Sequence, residues 1–213
     1  MSEIIERITS LGVVPVIELG SVDQAEPLLE ALSAGGLPAA EITLRTPAGI
    51  EAIPLLRTSH PDALVGAGTV RTADDARRAI EQGAQFIVAP NTDLEVLAVC
   101  SDLGIPAVPG ACTPTEIATA VKAGAALVKF FPAGVLGGVA FLKAIAGPFR
   151  DVRFVPTGGV SPANLAEYLQ LSSVAACGGT WLAKPAMLAE RRFDEIEALA
   201  REATGIVVEA RGG

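Results

Sequence analysis

The chain has 213 residues, half of them hydrophobic and only 19% charged, with a formal net charge of −8. That balance excludes a nucleic-acid binder, which needs a basic footprint, so an anionic substrate must be held by local donors rather than by the global field. No uninterrupted apolar run reaches the roughly 18 residues of a membrane span, and three cysteines with no CxxC pair point to reduced thiols in a cytoplasmic protein.

In chain order, Ser2-Glu3-Ile4-Ile5-Glu6-Arg7-Ile8 reads as an amphipathic helix rather than a targeting segment. From there, short β-prone runs alternate with helical stretches about every 20 to 25 residues, as serial βα units do. The expected strands are 13–19, 38–44, 64–67, 86–89, 106–108, 127–131, 153–156 and 174–177. Helices fill the gaps, among them 23–34, 73–82, 114–123 and 162–169. Ser161-Pro162 and Thr113-Pro114 each place a capping hydroxyl before a proline at the first helical position. Glycines within 34–36, 82–84, 103–104 and 123–125 read as left-handed helix stops. No linker, charge block or low-complexity segment divides 1–213, so one domain is expected. The fold class is α/β, a single-domain (β/α)8 TIM barrel with an extra N-terminal helix. A doubly wound open sheet has the same periodicity and is the structural alternative.

Chemistry in a βα barrel collects at the C-terminal ends of the strands, so polar residues in those strands carry the functional reading. In the second strand, alternation puts Ala40, Ile42 and Leu44 on one face and Glu41, Thr43 and Arg45 on the other. The apolar face meets helices and the polar face looks into the barrel. Glu41 and Arg45 could form an internal salt bridge, but four residues of strand span roughly 13 Å, which favours separate roles. Lys129 lies in the most apolar strand, while Lys122, Lys143 and Lys184 sit where solvation is easy. It is either half of a structural ion pair, with Glu41 as a partner, or a desolvated amine able to attack a carbonyl. Thr157-Gly158-Gly159 and Gly178-Gly179-Thr180 follow the seventh and eighth strands. They are either tight turns or the phosphate site common in barrels. Gly66-Ala67-Gly68-Thr69 lacks the next glycine of a dinucleotide fingerprint; its small residues are read as letting a compact substrate approach the backbone, with Thr69 donating a hydrogen bond. His60, the single histidine, falls in a loop before the third strand, on the face opposite the chemistry. Its position argues against Ser-His-Asp catalysis and most zinc sites and leaves a metal-free covalent mechanism, with no cofactor expected.

Taken together, the segments Glu41-Ile42-Thr43-Leu44-Arg45-Thr46, Gly66-Ala67-Gly68-Thr69, Lys129-Phe130-Phe131-Pro132-Ala133, Pro156-Thr157-Gly158-Gly159 and Gly178-Gly179-Thr180-Trp181 closely resemble the KDPG (2-keto-3-deoxy-6-phosphogluconate) and KHG (4-hydroxy-2-oxoglutarate) aldolase family, nearly end to end. The resemblance implies a class I, Schiff-base aldolase of carbohydrate metabolism, usually a homotrimer, cleaving a phosphorylated 2-keto-3-deoxy sugar acid to pyruvate and glyceraldehyde 3-phosphate. It implies Lys129 as the Schiff-base lysine, Glu41 as the general acid/base, and Arg45 with Thr69 as holders of the substrate carboxylate. It further implies Pro90, Thr157 and Phe131 as pocket residues, and Gly158, Gly159, Gly179 and Thr180 as the phosphate site. Three positions depart from relatives: Thr180 where serine is frequent, Asn91 where glycine or histidine is, and Glu18 where some place an arginine near the phosphate. The expected partners are small 2-oxo acids, with neither nucleic acid nor membrane. Two further readings stand beside this one: a same-family aldolase for another sugar acid such as the phosphogalactonate analogue, and a non-catalytic or isomerase barrel that binds sugar phosphates.

Overall fold

A computed structural model describes residues 3–212; Met1, Gly213 and Ser2, the first residue of the expected N-terminal helix, lie outside the described residues. The chain opens with α1 (Glu3–Leu11) and β1 (Val13–Ile17), then runs α2 (Ala25–Ala34), β2 (Ala39–Thr43), α3 (Pro47–Ser59), β3 (Leu64–Gly68) and α4 (Ala73–Glu81). It continues through β4 (Ile87–Val88), α5 (Leu94–Asp102), β5 (Ala107–Val108), β6 (Gly110–Ala111), α6 (Pro114–Lys122) and β7 (Lys129–Phe130). The last part comprises α7 (Gly138–Ile145), α8 (Pro162–Leu169), β8 (Cys177–Gly179), α9 (Pro185–Ala189) and α10 (Phe193–Arg211).

The fold is α/β with a curled parallel sheet. Six strands run in the order β5-β4-β3-β2-β1-β8, and β6 pairs with β7. Consecutive strands from β1 to β5 are added in one direction, so crossovers of one hand put their helices on the same face. A doubly wound sheet reverses that direction at its switch point, and this alternative is therefore set aside.

The expected eight-strand ladder is not continuous. Residues 106–108 belong to a strand interrupted after Val108 by Pro109, so that β5 and β6 are separate and the Lys129 strand is β7. The expected strand 153–156 is reduced to bridges from Phe154 to Val128 and Val174, with a further bridge from Thr157 to Gly178. Proline supplies no ladder N–H, and Pro109, Pro132 and Pro156 lie in or beside these short pairings.

Apolar side chains divide into two clusters by strand parity. Val13, Ile17, Ala40, Ile42, Val65, Ala67 and Ile87 pack outward with the helices. Val14, Ala39, Leu64, Phe86, Val88, Val108, Leu127 and Val155 pack inside the curl, joined by Ile5 and Ile8 of α1. The spacing of Ile5 and Ile8 places both on one helical face, so α1 contributes its apolar stripe to the interior. The capping signals form as expected at Thr113, whose Oγ1 accepts from Glu116 N while Glu116 Oε2 accepts from Cys112 N and Thr113 N. At Ser161 the bond runs from its backbone N–H to Asn164 Oδ1 at 2.9 Å. Gly83 and Gly124 take φ of 96° and 90°, the left-handed backbone that ends α4 and α6; after α2 it is Gly36, not Gly35, that does so.

Candidate active site

Glu41 sits in the middle of β2, with Val16 of β1 and Gly66 of β3 as its neighbours in register. Ala39, two residues earlier, belongs to the inner cluster, so the same face carries Glu41 into the interior. Lys129 opens β7 opposite Gly110, its backbone N–H donating to Pro109 O at 2.8 Å. These two side chains, 88 residues apart, meet: Lys129 Nζ donates to Glu41 Oε1 at 3.1 Å, with 8% and 5% of their side chains exposed. Ile8, Val14, Phe86, Val88, Val108, Val155 and Thr157 line the same narrow space. Lys129 Nζ also lies 5.6 Å from the centroid of the half-buried Phe131 ring, within cation–π range. An apolar lining strips water from both charges, so the amine has one strong polar partner, a carboxylate placed to take or return its proton.

The space for that carboxylate comes from the neighbouring strand. A Cβ at Gly68 would lie 2.6 Å from Glu41 Cγ and closer still to Oε1, and a Cβ at Gly66 would lie 2.5 Å from carbons of the Phe86 ring. The expectation that these glycines open the backbone to substrate is thus corrected: the side chains of Glu41 and Phe86 fill the room. Gly178 serves Thr157 in the same way, since a Cβ there would lie 2.7 Å from Thr157 Cγ2. Thr157 Oγ1 donates to Val155 O at 3.3 Å and is buried.

The other expected residues do not line this cavity. Arg45 lies past the end of β2, more than a third exposed, and its Nη1 is 3.2 Å from Glu18 Oε2. The Glu41–Arg45 ion pair is thereby replaced by two separate ones, Glu41 with Lys129 and Arg45 with Glu18. Glu18 follows β1 on the parity of Val14 and Val16, which brings it beside the guanidinium. Thr69 is half-buried with φ of 57°, a left-handed backbone that is rare for a β-branched residue and concentrates at functional sites. Pro90 stands against β6, where a Cβ on Gly110 would run into its carbonyl. Gly158 and Gly159 take φ of 85° and 87°, and Gly158 approaches Phe131, where a Cβ would lie 3.4 Å from the ring. Gly179 is buried under Leu182, while Thr180 and Asn91 are exposed. His60 caps the C-terminus of α3 and its Nδ1 lies 2.8 Å from Ser59 Oγ.

Sequence reasoning missed the apolar walls from Phe86, Val88, Val108 and Val155, and the accommodating roles of Gly68 and Gly178. The period-two pattern marks the walls as interior without showing which strand ends surround Lys129. Among the described residues, no three His, Cys, Asp or Glu side chains cluster as a metal site would require, and no helix is long and apolar enough to cross a membrane.

The profile of the KDPG and KHG aldolase family matches residues 4–199. A 2-dehydro-3-deoxy-phosphogluconate aldolase from Treponema pallidum is 43% identical over 207 residues, covering 97% of this chain and 99% of that protein. A KHG/KDPG aldolase from Escherichia coli K12 is 44% identical over 199 residues, 93% of each chain. Among solved structures, a KDPG aldolase from Legionella pneumophila, with pyruvate captured at low pH as a covalent carbinolamine intermediate, superposes with a TM-score of 0.91 at 37% identity. The match covers 95% of this chain and 98% of that one.

Proposed function

This chain belongs to the KDPG and KHG aldolase family, and from that premise we propose that it is a metal-independent class I aldolase. It cleaves 2-dehydro-3-deoxy-6-phosphogluconate to pyruvate and D-glyceraldehyde 3-phosphate, and 4-hydroxy-2-oxoglutarate to pyruvate and glyoxylate. The observation that carries the reading is the buried Lys129 Nζ held 3.1 Å from Glu41 Oε1.

In the resting pair Glu41 faces an ammonium. Transfer of one proton along that hydrogen bond leaves a neutral amine and a carboxylic acid, and the amine attacks C2 of the 2-oxo acid. The carbinolamine oxygen leaves as water with a proton returned by Glu41, giving an iminium. Glu41, again a carboxylate, takes the C4 hydroxyl proton; the C3–C4 bond breaks, its electron pair passes into the iminium, and the aldehyde departs from the pyruvate enamine. Protonation of C3 and addition of water then release pyruvate and restore the lysine.

Arg45 holds the substrate carboxylate, which fixes which carbonyl the lysine meets. Its guanidinium has five donors, so engagement of Nη1 by Glu18 leaves donors for a second carboxylate. Thr69 adds a hydroxyl beside it. Phe131, Pro90 and Thr157 border the reacting carbons. The backbone amides of Gly158, Gly159 and Gly179 with the Thr180 hydroxyl take the phosphate, a role supported by the successive positive φ values at Gly158 and Gly159. The curled sheet is read as an eight-stranded (β/α)8 barrel within one domain, supported by the Val128–Phe154 and Phe154–Val174 bridges that continue past β7. A cytoplasmic homotrimer completes the proposal.

The test is to incubate the protein with pyruvate and borohydride and to map the adduct by mass spectrometry. The expected product is an irreversible adduct on Lys129, formed equally with and without EDTA. Absence of an adduct, or its appearance on Lys122 or Lys143, overturns the mechanism. Cleavage assays with the two substrates and the galactonate epimer then rank them.

A further inference from the structure

We propose that Gly68 is a positioning residue for proton transfer: its missing side chain is the slot that holds the Glu41 carboxyl against Lys129. The inference rests on the reading of Glu41 as the proton carrier. Gly68 ends β3 beside Thr43 in register, on the interior face two residues beyond Gly66, which pairs with Glu41. Its φ is not in the left-handed region, so conformational freedom does not explain glycine here; alanine fits the backbone. Space does explain it. An added Cβ would lie 2.6 Å from Glu41 Cγ and 2.9 Å from Cδ, and nearest of all to Oε1, the oxygen that accepts from Lys129.

Neither side can give way cheaply. Glu41 is 4% exposed, and apolar side chains together with Thr157 line the rest of its surroundings. The β3 backbone is tied to β2 by a five-residue register and by the bond from Leu44 N to Gly68 O at 2.9 Å. A methyl group at Gly68 therefore displaces the carboxyl from its 3.1 Å approach to the amine. At Gly66 the obstacle would be the Phe86 ring, a packing constraint with no link to the reacting groups.

The experiment is a double-mutant cycle with Gly68→Ala and Glu41→Ala in the full chain. The readouts are kcat and KM for cleavage, the pH profile, and exchange of pyruvate methyl protons with solvent. Loss of a positioned acid/base lowers rates by about 100-fold or more, so Gly68→Ala is expected to lower kcat and proton exchange on that scale. KM should stay within about threefold, and the pH-profile limb that Glu41→Ala abolishes should be displaced. In the Glu41→Ala background the slot is vacant, and adding Gly68→Ala should change either rate by less than about twofold. Wild-type kcat and pH profile in Gly68→Ala, or an equal loss in both backgrounds, overturns the proposal. If Gly68→Ala does not fold, the double variant decides: folding with the melting temperature of Glu41→Ala supports the slot, and failure to fold overturns it. A Glu41→Ala enzyme with full activity would sink the reading of Glu41 itself, whereas a slow Glu41→Ala beside a fast Gly68→Ala sinks only this inference.

Discussion

On the proposed reading the Lys129–Glu41 pair serves chemistry and not stability, and this can be measured. At 3.1 Å and an effective dielectric constant of about 20, the two charges attract by about 5 kcal/mol. Removing two ions from water costs several kcal/mol each, so the net contribution of such a pair to folding is close to zero. Replacing one partner is different, because the other charge is left in an apolar cavity with 8% or less of its side chain exposed. Lys129→Met and Glu41→Met are thus each expected to lose about 3–5 kcal/mol, or about 10 °C in melting temperature for a chain of this length. The double variant should melt within about 3 °C of the parent or above it. Thermal unfolding of the four proteins at pH 7, beside a cleavage assay, supplies the data. If the double variant is as destabilised as either single one, the pair is structural and the reasoning is refuted.

On the proposed role of Arg45, Glu18 competes with the substrate carboxylate for its guanidinium, in a pair whose side chains are 48% and 37% exposed. Such pairs contribute at most about 1 kcal/mol, so Glu18→Gln should lower KM for 2-oxo acids by no more than about fivefold with kcat unchanged; a higher KM would mean that Glu18 steadies Arg45 instead. The cysteines should separate by reactivity. Burial pushes the Cys100 thiol up to about 11 and Cys177 higher still, so both should resist iodoacetamide at pH 8 until the protein unfolds, with Cys100 labelling faster as the pH climbs toward 11. Cys112 is half-buried, and its thiol is raised chiefly by the hydrogen bond it donates to Glu116. It should be the thiol labelled in the native state, and faster in Glu116→Gln, as peptide mapping would show.

Much of the element order is legible because its signals are local. Helix α8 has the expected bounds, Pro162–Leu169, since the proline start and the apolar spacing act within one or two turns. Strands β1 to β3 fall inside or within a residue of their expected runs, and the alternation in β2 correctly separates Ala40 and Ile42 from Glu41. Strands β4, β5 and β7 are overestimated, because β-propensity continues through residues whose neighbours in space include prolines that cannot pair, whereas β8 begins at Cys177, where the expected run 174–177 ends. Lys129 and Glu41 stand out in the sequence for a thermodynamic reason: a charge in an apolar strand demands a partner or a task.

The sequence by itself determines that this chain is a serial βα protein with an acid and an amine in its strands, and its motifs carry the family. Tertiary structure alone decides that those groups, 88 residues apart, meet at 3.1 Å. It also decides that Arg45 turns to Glu18, and that Gly68 makes room for a carboxyl and not for substrate. Periodicity specifies the face on which a side chain lies, but distance across a curled sheet depends on register, twist and the volume of whatever stands between, and these are properties of strands that have already packed.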